Sequence, residues 1–126
     1  MIAFSEEVWH ASITGTATAY TDPKWNSVLS RAEKFYCVAR VSAGSGTSPT
    51  LTVNIEHSND GVNWATKAQL FNATSISNAA TSVVILTAQD LGTAQVGGLY
   101  MRVALTLGGT NPSAMIVIML TGRDPV

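Results

Sequence analysis

The chain has 126 residues, of which 46% are hydrophobic and only 12% charged, and its net charge is −1. That length fits one domain whose core needs neither disulfide nor metal. The seven scattered Lys and Arg residues give no basic patch for nucleic acid or a membrane surface. The single cysteine, Cys37, excludes an internal disulfide and with it a disulfide-built secreted module.

A typical domain carries about 25% charged residues. Here polarity rests instead on 27 Ser and Thr residues. A weakly charged Ser/Thr/Ala surface is expected of a subunit embedded in an assembly, since free monomers rely on charge for solubility.

The N-terminus reads Met1-Ile2-Ala3-Phe4 and then turns acidic at Glu6-Glu7, unlike a signal peptide. Residues 1–10 read as a short arm. Residues 8–13 and 16–20 read as short strands. Asp22-Pro23 has the form of a helix start, and Trp25, Val28, Leu29 and Ala32 fall near helical spacing. Asn26, Ser27 and Ser30 are poor helix formers, so a short helix and an irregular loop both remain open.

Residues 35–41 (FYCVARV) read as a strand with Cys37 as a buried small hydrophobe. A loop over 43–49 joins it to a strand over 50–58. There Leu51, Val53 and Ile55 face one way and Thr52, Asn54 and Glu56 the other, the period of a strand with one wet face. Asn59-Asp60-Gly61 supplies turn chemistry, and the hairpin returns from Val62 through Trp64 to about Phe71. Residues 81–87 read as a strand and 88–98 as a loop with at most one helical turn. Over 99–107, Met101, Val103, Leu105 and Leu107 face in and Tyr100, Arg102 and Thr106 face out. Residues 108–112 form a long turn.

The last strand, 113–121, is apolar on both faces: Met115, Val117 and Met119 on one, Ile116, Ile118 and Leu120 on the other. It belongs at the centre of a sheet or under a neighbouring subunit. Its seven-residue apolar run, 114–120, is too short to span a bilayer as a helix. Turn signals about every ten residues complete the pattern of an all-β fold. The expectation is one domain, 1–126, an antiparallel jelly-roll-like sandwich of about eight strands.

Little in the chain carries chemistry. His10 and His57 have no clustered partners, and one Cys with two distant His cannot form a zinc set. Asn59-Asp60-Gly61 lacks the alternating acids of a calcium loop, and Gly44-Ser45-Gly46 lacks the Lys-Ser/Thr of a phosphate loop. Nothing singles out a pair among the acidic residues. No enzyme activity, metal or cofactor is expected. The aromatics Trp9, Tyr20, Trp25, Trp64 and Tyr100 could line a sugar-stacking surface, with Trp25 and Trp64 the candidates.

Ser58-Asn59-Asp60-Gly61-Val62-Asn63-Trp64 is similar to the Ser-x-Asp-Gly-x-x-Trp hairpin of many β-sandwich domains. Discoidin-type modules carry one version, but they are longer and usually cystine-bonded. With the Ser-Gly-Thr-Ser-Pro-Thr loop before it, Tyr100-Met101-Arg102-Val103 after it and the closing apolar strand, the chain resembles small structural proteins of tailed bacteriophages over about residues 36–122. The resemblance implies a virion protein, assembled in the bacterial host cytoplasm: a capsid decoration, minor capsid or tail component. Its partners would be copies of itself, as trimers or dimers at symmetry axes or as a ring, and a major capsid or tail protein. It carries over no catalytic or binding residue. The alternative is a carbohydrate-binding sandwich module displayed on such a particle.

Overall fold

The computed structural model describes residues 2–21, 24–25, 33–92 and 100–123. Seven strands are hydrogen-bonded into one antiparallel sheet: β1 (Ile2–Thr14), β2 (Thr18–Tyr20), β3 (Lys24–Trp25), β4 (Lys34–Ser58), β5 (Ala65–Ser75), β6 (Val84–Asp90) and β7 (Tyr100–Arg123). A 3-10 turn, Ser77–Ala80, joins β5 to β6.

The spine is a two-stranded ribbon. β4 and β7 pair along their whole lengths, from Lys34 opposite Arg123 to Ser58 opposite Tyr100. The first half of β4 (34–42) also pairs with β6, and the second half (50–58) with β5. The second half of β7 (113–123) pairs with β1, and its first half (100–107) with β2 and β3. The ribbon therefore carries two four-strand-wide halves, β1–β7–β4–β6 and β2/β3–β7–β4–β5.

The expected strand count changes for a physical reason. Residues 43–49 and 108–112, read as loops that end strands, keep pairing: Ser45 lies opposite Ser113, Thr47 opposite Thr110 and Thr50 opposite Gly108. Two pairs of expected strands thus merge into β4 and β7, while Lys24–Trp25 adds β3. The pairing register slips between Ser42 and Thr50, which bends the ribbon there. Gly46 and Gly109 take left-handed φ of 105° and 102° at this bend. A Cβ on Gly109 would stand 2.7 Å from the carbonyl oxygens of Thr47 and Ser48.

Three other expectations meet the structure. The stretch read as an N-terminal arm runs as β1, paired with β7 along its length, with register shifts between Ile2 and Phe4 and between Glu7 and Trp9. The return strand of the hairpin starts at Ala65, not Val62. β6 continues to Asp90, beyond the expected end at 87. The helix or loop expected over 22–32 lies outside the described residues except for β3, as do residues 93–98 of the expected loop over 88–98, whose start is strand.

One core unites both halves. Phe35, Cys37, Ala39 and Val41 of β4 and Ile116, Ile118 and Leu120 of β7 belong to the same buried cluster as Leu51, Val53, Ile55, Val103, Leu105 and Leu107. Among the described residues this cluster is built almost wholly from strands of the one sheet, with Ala79 of the 3-10 turn beside them and no α-helix over it. Lys67 of β5 closes one side. Its side chain is 3% exposed and reaches Asp90 of β6 at 2.7 Å, while Nζ donates to the Glu33 carbonyl at 2.9 Å. Burial pushes the Cys37 thiol up to about 12, consistent with a packing role.

Two glycines test the bend. Gly109→Ala is expected to cost about 2 to 3 kcal/mol, through both strained φ and backbone collision. Gly15→Ala shares the positive φ (89°), but its added Cβ meets nothing within 4 Å, so it should cost only about 1 kcal/mol. Urea midpoints at constant slope measure both; equal costs would refute the close approach.

Candidate interaction face

The two halves present unlike outer faces. On β1–β7–β4–β6 the residues between the core-facing ones stand in cross-strand rows. One row is Glu7–Met119–Val38–Thr87, the next His10–Val117–Arg40–Ile85, and Tyr36 lies between Thr121 and Gln89. The middle of this face is apolar. Tyr36 is 47%, Met119 42% and Ile85 56% exposed, and Val38, Val117 and Met115 are half-buried. Charge sits at Glu7 and Arg40, and Glu7 accepts from or pairs with His10 Nδ1 at 2.9 Å. Exposed apolar patches, when large, are a common feature of interaction sites on folded domains.

A shallow pocket of about 240 Å³ opens at the end of this face, lined by Lys34, Phe35, Tyr36, Gln89, Leu91 and Arg123. It is below the size usual for small-molecule sites, about 300 to 1,000 Å³. Among the described residues no three His, Cys, Asp or Glu side chains gather to hold a metal. No helix of the described residues is long and apolar enough to cross a membrane.

The outer face of the other half is polar. Thr18, Thr106 and Thr52 form one row, and Thr18 and Thr106 hydroxyls bond at 2.8 Å. Next to them Arg102 stands directly opposite Glu56 and donates to it from Nε at 2.7 Å, both side chains under one-fifth exposed. The same guanidinium lies 3.8 Å from the Tyr20 ring centre and 4.2 Å from that of Trp64. Trp64 thus packs against a cation instead of offering that side of its ring to a ligand. Trp25 is placed by its backbone only, opposite Tyr100 on β3. The alternation over 99–107 already sends Arg102 outward; that it meets two aromatics depends on β2 and the hairpin arriving beside it.

The hairpin is held by its own polar groups. Ser58 Oγ accepts from the Asp60 and Gly61 N–H groups at 3.2 and 2.9 Å and donates to Asp60 Oδ1 at 2.9 Å. That carboxylate also accepts from the Val62 and Asn63 N–H groups, both at 2.8 Å, and from the Asn63 amide. The backbone N–H groups of Asn63 and Val62 lead in holding Asp60 well below the usual carboxylate range, with Asn63 and Ser58 side chains adding to it. The Ser-x-Asp-Gly spacing is therefore a turn-building motif. His57, at the end of the strand, is held below its ordinary value by burial and then by the Lys67 charge.

No protein-family model matches the chain, and no curated protein does. Among solved structures, the chain is similar to one described as "Crystal structure of PBSX exported protein XepA", with a TM-score of 0.64 and 14% sequence identity. The match covers 98% of this chain and 38% of that one, so the chain spans less than two-fifths of the neighbour's length. At this identity the likeness is one of fold.

Two outcomes are expected here. Arg102→Ala should cost about 2 kcal/mol, because it removes both ring contacts and strands Glu56. Arg102→Lys should restore less than half of that, since an ammonium keeps the charge but not the planar stack; full rescue would mean that charge alone matters. For Asp60, the folded carboxyl titrates below its unfolded value of about 3.9. Its stabilisation is therefore complete above about pH 4 and lost as pH falls further. Thermal melts between pH 2 and pH 7 should show that loss in the wild type and a flatter acid limb in Asp60→Asn.

Proposed function

We propose that the chain is a structural protein of a bacteriophage particle, acting by packing against other proteins and not by catalysis. The observation that carries this reading is the apolar outer face around Met119, Val38 and Tyr36, on a chain with so little surface charge. Burying such a face yields roughly 25 cal/mol per Å² of apolar area, and few ions have to be desolvated in doing so. The fold likeness supports the phage setting, since the similar structure is of XepA, a PBSX phage exported protein. Within that setting we read the doubled sheet as a jelly-roll-like sandwich and the role as capsid decoration or minor head protein.

The test is incorporation. In particles produced by the phage that encodes the chain, mass spectrometry should find it in stoichiometric copy. Met119→Lys should be depleted from particles at least tenfold while its melting temperature stays within a few degrees of wild type, because the side chain is already 42% exposed. Absence of the wild-type chain from particles would overturn the reading. A specific glycan-array signal lost in Trp64→Ala would favour carbohydrate recognition instead.

A further inference from the structure

Among the described strands, β6 forms a regular, uncharged edge of the sheet up to Asp90. Among the described residues it is hydrogen-bonded on one side only, to β4, in unbroken register from Asp90 opposite Phe35 to Val84 opposite Val41. No described strand pairs with its other side. Natural sheets blunt such edges with charge, proline or a bulge. The segment 81–89 has no charged residue, no proline and no register shift. The adjoining charge, Asp90, is engaged by Lys67 at 2.7 Å. The contrast lies within the same molecule: β1 carries Glu6, Glu7 and two register irregularities, and β5 carries Lys67 and three.

Both faces of this edge are also unfinished. Val84, Leu86 and Ala88 pack toward the core yet stay only partly buried. On the other face Val83 is 46% and Ile85 56% exposed.

We propose that β6 pairs antiparallel with β6 of a second copy of this chain, about a two-fold axis perpendicular to the sheet. The edge is self-complementary. Such an axis sets odd-numbered side chains beside odd and even beside even, because directly opposed residues share a face. Centred on Leu86, the pairing sets Leu86 opposite Leu86 and Val84 opposite Ala88 over the core, and Ile85 opposite Thr87 outside. No like charges are brought together, because the paired segment has none. The pairing also joins the apolar faces of the two copies into one continuous surface. This dimer rests on the reading that the chain works by packing, and it names the first partner as the chain itself.

Light scattering of the full chain over a concentration series tests it. The expected result is twice the 13.2 kDa chain mass. Ile85→Lys should raise the dimer dissociation constant by about 30-fold or more, and Met119→Lys, away from the edge, should leave it within threefold. Thr87→Lys, at an exposed position of the same strand, replaces Ile85→Lys if circular dichroism shows that variant to be unfolded. A wild-type monomer, or an oligomer that neither edge variant weakens, would overturn the pairing. Either of those results leaves particle incorporation standing as a separate question, whereas a dimer absent from particles would sink the phage role and keep the seam.

Discussion

Everything else in the structure hangs on the pairing of β4 with β7. Each of these strands has one face buried in the core in both halves of its length, and each gives its outer edge to a different partner in each half. Two strands this long cannot stay flat, since sheet twist accumulates and neither half alone could cover its own apolar face. The slipped register and left-handed residues between 43 and 49, and between 109 and 111, let the ribbon turn without breaking its ladder. The core is then filled by side chains from both halves, and Lys67 ties the free side together through Asp90 and the Glu33 carbonyl.

The bend also divides the surface. The half built on β5 spends its polar residues outward: threonine hydroxyls bond across strands, and Arg102 is held by Glu56 and two aromatic rings. Its outer face is satisfied within the chain. The half built on β6 has Met, Val, Ile and Tyr in the same positions, with Glu7 and Arg40 within the rows and Lys34 and Arg123 at one end. In water such a face lowers its free energy mainly by meeting another apolar surface. The asymmetry between the faces, more than the low charge by itself, is what directs the functional reading toward assembly.

The edges follow the same division. β1 and β5 are irregular and carry charge, features that discourage further pairing. β6 is regular and uncharged up to Asp90, and it borders the apolar face. A strand arriving at β6 would extend the hydrogen-bonded sheet and the apolar surface together.

The sequence by itself determined the all-β class, the inward residues of the paired segments and the turn at Ser58–Asn63. Each of these depends on neighbours within a few residues: period-two alternation decides which side chains of 50–58 and 99–107 turn inward, and the Ser58 and Asp60 side chains bond the backbone of their own turn. The burial of Cys37 was legible for the same reason. Only the tertiary structure decided that 43–49 and 108–112 are bends in continuous strands, because Gly, Ser and Pro signal a turn locally while their pairing partners lie far away in the chain, as Thr47 and Thr110 do. It likewise decided that Trp64 stacks on Arg102 and that Tyr36, Val38, Met119 and Ile85 share one exposed face. Those side chains come from three strands far apart in the chain, and no local pattern records the register that sets them side by side.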